Sequence, residues 1–201
     1  MSMIVITNVK KGPNNMIYPA QEFVLKNGLK VIIKSPEVSD ALNLLDSVVN
    51  VAKSTDFLLG EPEDYDKYYQ DIKLEEDFIN SFINNKDYLL CVYLDDKIIG
   101  NSALRFFAHK KDSHRVNIGI AIQKEYQGLG IGSLLFDVMI DIAKNTEGIE
   151  QMELDVISTN EKAKRLYTKK GFVKTGDLPH ELKLKDGTYL DGEFMVLFLN
   201  K

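Results

Sequence analysis

Gln127-Gly128-Leu129-Gly130-Ile131-Gly132 sets three alternate glycines between an apolar strand pattern and an amphipathic helix pattern. Ile131, Leu134, Leu135, Val138 and Ile142 recur at helical spacing, so a helix begins at or just after the glycines and turns its unpaired N–H groups toward the loop. Backbone donors and the positive helix end together suit a phosphate. Upstream, Val116, Ile118, Ile120 and Ile122 alternate with Asn117, Gly119 and Ala121. That strand has a core face and a face of small side chains that a ligand can approach closely.

The 201 residues fit one large domain, or one domain with an N-terminal addition. No apolar run approaches the ~18 residues of a membrane helix, and the N-terminus has no charged leader before a long apolar block. A cytoplasmic chain is expected, with no membrane partner. Cys91 is the single cysteine, which excludes an intramolecular disulfide, and its apolar run makes it a buried, inert thiol. Net charge is −5 and the acidity is N-terminal: residues 1–100 carry 10 basic and 16 acidic side chains, residues 101–201 carry 15 and 14. Nucleic acid is a poor partner at that balance. His109, His114 and His180 show no ligand spacing, so no metal is expected.

Residues 1–24 form an N-terminal extension of unknown role, an added strand or a loose arm. Residues 25–201 read as one domain. A strand over Leu29–Lys34 precedes a helix from about Val38 to Ser54. The acidic, aromatic connector Glu61–Tyr69 reads as a solvated loop. A second helix follows, with Leu74, Phe78, Phe82 and Ile83 on one side. Tyr88–Leu94 and Lys97–Phe107 form a hairpin through Asp95-Asp96. After the glycine loop and its helix come a strand over Met152–Ile157 and a helix over Asn160–Lys170 ended by Gly171. Strands over Phe172–Thr175 and Glu193–Leu199, with a hairpin at Asp186-Gly187 between them, complete the chain.

Spacing separates three readings of the glycines. A P-loop needs Gly-Lys-Ser/Thr, whereas Ser133 follows Gly132 directly. A dinucleotide fingerprint needs a third glycine where Ser133 or Leu135 stands; Glu153, about twenty residues on, keeps a nicotinamide cofactor in view. The third reading is an acyl-coenzyme A site. Gln127–Gly132 matches the Gln/Arg-x-x-Gly-x-Gly/Ala loop of the GNAT superfamily of N-acetyltransferases. Leu154-Asp155-Val156 followed by Asn160-Glu161-Lys162-Ala163-Lys164-Arg165-Leu166-Tyr167-Thr168-Lys169-Lys170-Gly171-Phe172 resembles that family's second block, Asn-x-x-Ala-x-x-Leu-Tyr-x-x-x-Gly-Phe. The resemblance spans roughly Leu25–Leu199. It implies an α/β fold whose mixed, mostly antiparallel sheet is flanked by helices, the acyl-CoA N-acyltransferase fold.

Asn160, Ala163 and Tyr167 lie at i, i+3 and i+7, so they share one helix face with a small residue between two polar ones. Asn160 can both donate to and accept from an amide such as that of pantetheine. The resemblance implies that two neighbouring strands, Val116–Ile122 and Met152–Ile157, splay apart to admit pantetheine. Amides near Ile120, Ala121 and Ile122 would bind it and polarise the thioester. It also implies that Gln127, Gly128, Leu129, Gly130, Ile131, Gly132 and Ser133 cradle the pyrophosphate. The basic cluster Lys162, Lys164, Arg165, Lys169, Lys170 and Lys174 is either a 3′-phosphate site led by Lys162 or a solvated face.

Acetyl-CoA is thus the expected co-substrate and an amine, on a small molecule or a protein, the expected acceptor. Tyr167 would be the catalytic acid that protonates the departing thiolate, since a phenol holds its proton at neutral pH. The alternative is a tyrosine that only packs. Neutralising a lysine-like amine at pH 7 costs about 4.6 kcal/mol, against about 1 for an α-amino group, so a strong amine needs a base. Glu153, Glu125, Glu75 and Glu76 are candidates that the motifs do not rank. An acceptor-contacting role is also open to the acidic connector. The competing class is a regulatory module that binds acyl-CoA without turnover; a homodimer is compatible with either.

Overall fold

The computed structural model describes residues 16–199. Eight strands form one sheet: β1 (Gln21–Val24), β2 (Lys30–Lys34), β3 (Tyr88–Leu94), β4 (Lys97–Phe106), β5 (Arg115–Ile122), β6 (Gln151–Ile157), β7 (Val173–Lys183) and β8 (Tyr189–Phe198). Their order is β1-β2-β3-β4-β5-β6-β8-β7, antiparallel throughout except for the parallel pair β5/β6. Five α-helices, α1 (Ala41–Ala52), α2 (Asp66–Gln70), α3 (Lys73–Asn85), α4 (Ile131–Asn145) and α5 (Glu161–Lys169), accompany it. The expected mixed, mostly antiparallel α/β architecture is the one observed.

Strand alternation sends side chains to two cores. Val116 and Ile118 of β5 pack with Leu135, Phe136 and Met139 of α4 and with Phe172. On the opposite face Leu89 and Cys91 of β3 and Ile98 of β4 pack with Leu44 of α1 and Ile79 and Phe82 of α3. Cys91 is fully buried and its thiol is pushed well up by burial, the inert state expected of it. The β3–β4 hairpin turns on Asp95 and Asp96, with φ of 47° and 63°. Two successive positive φ values match the twist of the flanking strands.

Two segments, the connector and the β7–β8 hairpin, differ from the sequence reading, and a third the sequence leaves open between an added strand and a loose arm. Gln21–Val24, inside the stretch read as an extension, pairs with β2 as the sheet's edge strand, while residues 1–15 lie outside the described residues. The connector contains a 3-10 turn (Pro62–Tyr65) and α2, because Pro62 presets the first turn and the Glu61 N–H donates to Asp64 Oδ2 at 2.8 Å. β7 and β8 run longer than expected. Register shifts break the apolar alternation of β7, one of them spanning Pro179 and His180, whose φ is 56°.

Candidate active site

β5 and β6 pair at only three rungs, Arg115↔Gln151, Val116↔Met152 and Asn117↔Glu153. Beyond them β5 continues to Ile122, bonded to β4, and β6 continues to Ile157, bonded to β8. The edges of the two strands that face each other therefore part into a split. Its closed end is fastened by a two-pronged ion pair: Arg115 Nε donates to Glu153 Oε2 at 2.8 Å and Arg115 Nη2 to Glu153 Oε1 at 2.7 Å. The guanidinium also lies 4.6 Å from the Phe107 ring centroid. Glu153 is 3% exposed and holds its partner in that pair, which removes it from the candidate bases.

The glycine loop follows β5 directly, and its glycines do different jobs. Gly128 (φ 85°) and Gly130 (φ 95°) are left-handed, a conformation that strains any other residue. Gly132 lies in α4, where an added Cβ would come 3.0 Å from Leu166 Cδ2 and 3.3 Å from Ile122 Cδ1. Its absent side chain lets the first turn of α4 pack against α5 and the end of β5. Gly130 caps α4 with no side chain, and its carbonyl accepts the first helical bond, from Leu134 N at 3.0 Å. The N–H groups of Ile131, Gly132 and Ser133 precede that bond and have no backbone acceptor among the described residues, which leaves them to an anion.

Gln127 braces this loop from within. Its Nε2 donates to the Ile122 carbonyl at 2.9 Å, and its Oε1 accepts from Lys162 Nζ at 2.8 Å. The two sequence blocks thus meet side chain to side chain. Three of the other five basic residues of the cluster turn elsewhere: Lys164 to Glu193 and Glu161, Lys170 to Asp137, Lys174 to Asp177 and Glu193.

Asn160 caps α5, its Oδ1 accepting from Ala163 N at 3.2 Å. Its carbonyl is committed to the helix, so only its NH₂ is left for a ligand. Tyr167 is 8% exposed, its ring 5.2 Å from Phe136 and 6.3 Å from Phe172. Ile120, Ile122, Ala163 and Leu166 border the same cluster. Burial pushes the Tyr167 phenol up to about 12, so it is protonated throughout the neutral range. Its hydroxyl makes no hydrogen bond among the described residues.

Residues 52–172, more than half of the chain, match the family described as "Acetyltransferase (GNAT) family". The chain belongs to this family. L-amino acid N-acetyltransferase AaaT of Escherichia coli (strain K12) is 26% identical over 107 residues, which are 53% of this chain and 65% of that protein. The chain thus matches just under two thirds of that relative's length. A GNAT-family acetyltransferase from Streptococcus pneumoniae superposes with a TM-score of 0.75 at 25% identity, covering 84% of this chain and 99% of that one. The yncA structure of Salmonella typhimurium, solved with its cofactor acetyl-CoA, superposes at 0.71 with 19% identity over 85% and 95% of the two chains. Among the described residues no helix is long and apolar enough to cross a membrane.

In this GNAT domain the sheet face opposite α4 is the remaining approach to the split. Asn117, Gly119 and Ala121 of β5 point there, and a Cβ at Gly119 would meet nothing within 4 Å. Asp155 of β6 follows Glu153 by two residues, so it shares that face and stands just past the last rung. Partial burial, then the charge of Glu153, raises its carboxyl above the usual range. The sequence reading passed over Asp155, although its strand alternation with Glu153 was the available signal. Among the remaining candidates, Glu125 is exposed beside the glycine loop and Glu76 pairs with Lys73 at 3.5 Å. Glu75 is different: it is buried on α3, and desolvation raises its carboxyl to about 7. The connector above this face is tied to the β7–β8 loop by Lys185, 2.8 Å from Glu63 and 3.6 Å from Glu61.

Proposed function

We propose that the protein transfers the acetyl group of acetyl-CoA directly to an amine. The observation that carries this reading is the parting of β5 and β6 after three rungs. The split lies beside a left-handed glycine loop, with a buried, protonated phenol in the adjoining core. Acetyl-CoA, when bound, supplies an activated acyl group as a thioester.

The chain's own groups take the following roles. The free N–H groups at the start of α4, with Gly128 and Gly130 shaping the approach and Ser133 as a further donor, hold the pyrophosphate. Amides of Ile120 and Ile122, whose shared neighbour Ala121 turns its backbone to β4, bond pantetheine and polarise the thioester carbonyl, and the Asn160 NH₂ donates to a pantetheine carbonyl. Lys162, through Gln127, keeps α5 against the loop while its charge faces the phosphates. The amine approaches over Gly119. Asp155 takes the proton that the attacking nitrogen must lose, directly or through one water, and its raised carboxyl is a better match for that task than a solvated aspartate. Tyr167 gives its proton to the departing sulfur.

A cytoplasmic setting belongs to the same reading, since an inert buried thiol and no cystine fit a reducing compartment. The L-amino acid named for the E. coli relative falls within the acceptor class of small primary amines. Release of free thiol from acetyl-CoA across a panel of amines tests the proposal. Turnover with at least one amine, reduced in Tyr167→Phe with coenzyme A affinity retained, is the expected result. Tight coenzyme A binding with no thiol release from any amine would overturn it in favour of a binding module.

A further inference from the structure

We propose that the Glu75 carboxyl and the Asn101 amide oxygen form a subsite for a second ammonium group of the acceptor, making the preferred substrate an α,ω-diamine. This rests on the acetyl-transfer reading for the role of the split, and it names the substrate class.

Cross-strand register locates the subsite. Cys91 of β3 is opposite Asn101 of β4, which is opposite Ala121 of β5, so the three share the sheet face away from α4. α3 lies over that face, burying Glu75, Ile79 and Phe82 at i, i+4 and i+7. β3 leaves the C-terminal end of α3, where Asp87 N donates to the Phe82 carbonyl at 2.8 Å, and runs back beneath the helix, so Glu75 in the first turn stands toward Cys91, whose cross-strand neighbour is Asn101. Consistent with this, the charge of Glu75 acts on both the Cys91 thiol and the Tyr65 phenol of the connector.

Both groups are acceptors without a donor. Glu75 is 6% exposed and takes no hydrogen bond from any described residue, and desolvation alone acts on its carboxyl. Asn101 Oδ1 is buried and makes no hydrogen bond among the described residues. A buried acceptor left unpaired is costly, and the Asn101 oxygen together with a desolvated carboxylate on the same face calls for a cationic ligand rich in donors. An ammonium presents three N–H groups and the charge that a desolvated carboxylate lacks. The acidic connector around Tyr65 adds attraction for such a cation.

This ammonium is not the one acetylated. The reacting nitrogen must be neutral and lies over Gly119 beside Asp155, on the β6 side, whereas Glu75 and Asn101 lie on the β3–β4 side. Strands are spaced about 4.8 Å apart, which separates the two nitrogens by roughly 5–10 Å, the reach of a diamine such as 1,5-diaminopentane.

Calorimetry with the protein saturated with coenzyme A tests the subsite without requiring turnover. 1,5-Diaminopentane is expected to bind at least about tenfold more tightly than n-pentylamine. Glu75→Gln should reduce that preference below about threefold, and Asn101→Ala should weaken the diamine alone, so a fold defect in one variant leaves the other to decide. Equal binding of the two amines, or a preference undiminished in both variants, would overturn the proposal. Thiol release with the same amines separates the two ideas. A preference in binding without acetyl transfer sinks only the transferase reading; transfer to both amines with equal kcat/KM and equal binding sinks only the subsite.

Discussion

Lys162 Nζ donates to Gln127 Oε1 at 2.8 Å, and through the bond from Gln127 Nε2 to the Ile122 carbonyl it ties α5 to the glycine loop and to the open end of β5. Both side chains are exposed, so the pair adds little to stability, about 0.5 kcal/mol. Its effect is on where the loop sits relative to the split. Gln127→Ala and Lys162→Ala should each raise the KM for acetyl-CoA roughly fivefold, equivalent to about 1 kcal/mol. Their effect on kcat and thermal midpoint should be small. Steady-state kinetics with acetyl-CoA varied would show this, and a fall in kcat with unchanged KM would contradict it.

Tyr167→Phe should separate activity from stability. Loss of a general acid lowers kcat by about 10²- to 10⁴-fold. The residue is 8% exposed and its hydroxyl makes no hydrogen bond among the described residues, so removing it should leave the fold about as stable. With the phenol pushed up to about 12, its ionisation produces no alkaline loss of wild-type activity below about pH 11. Urea melts and single-turnover rates would check both halves. A variant of unchanged rate would leave Tyr167 only the packing role against Phe136 and Phe172.

The fold was legible because the decisive signals are local: alternation along β5, left-handed glycines after it, and the helical repeat behind Ile131. Other assignments failed where the answer depended on partners distant in sequence. Nothing near Glu153 announces Arg115, because the pair exists only through the parallel register of β5 and β6. Asn160 was read as a two-way ligand group, yet the N-cap rule applied to its own helix would have committed its oxygen to Ala163. The basic cluster around α5 looked like one patch, although Lys164 and Lys174 share Glu193 on β8, a strand reached only after the chain turns back. Glu75 is legible in the sequence as a carboxylate, but its burial depends on how α3 packs.

The three glycines should respond differently to alanine. At Gly130, φ 95° makes a Cβ costly by about 1–2 kcal/mol, and the strain falls on the residue that aims the first N–H groups of α4. Gly130→Ala should therefore lower both thermal stability and coenzyme A affinity. At Gly132 the backbone is helical and the nearest atom, at 3.0 Å, is the flexible end of Leu166. Gly132→Ala should shift α5 slightly and disturb Tyr167, so kcat should fall more than affinity. Isothermal titration with coenzyme A, set beside turnover, distinguishes the two patterns. Identical losses in both variants would argue against separate roles.

Asp155→Asn tests the base. In the wild type the carboxylate form exists only above a pKa that burial has raised, so activity should fall as pH drops through that value. The variant lacks this step, and its rate should follow only the free amine fraction, rising toward the pKa of the acceptor. For a lysine-like amine the loss in kcat/KM near neutral pH should be about 10²-fold, shrinking as pH rises and the amine deprotonates unaided. A pH profile of kcat/KM for both proteins would show the convergence. Parallel profiles, offset by a constant factor, would assign Asp155 to positioning and not to proton transfer.

Glu75 makes a stability prediction that is independent of substrate. Its folded carboxyl titrates near about 7, above the ordinary value of 4.5 in the unfolded chain. The folded state therefore binds more protons between those limits, and stability must fall as pH rises from about 4.5 to about 7. At about 1.4 kcal/mol per pH unit the loss is on the order of 3 kcal/mol, complete above the folded value. Glu75→Gln keeps the shape and removes the ionisation, so its stability in urea should be higher than wild type at pH 8 and should lack this component of the decline from pH 5. If wild type and variant fell in parallel between those pH values, Glu75 would not be a desolvated acid. A diamine seated beside it should reverse the trend, because an ammonium stabilises the charged carboxylate. The wild type, but not Glu75→Gln, should then gain thermal stability from 1,5-diaminopentane at pH 8, where the carboxylate is already ionised.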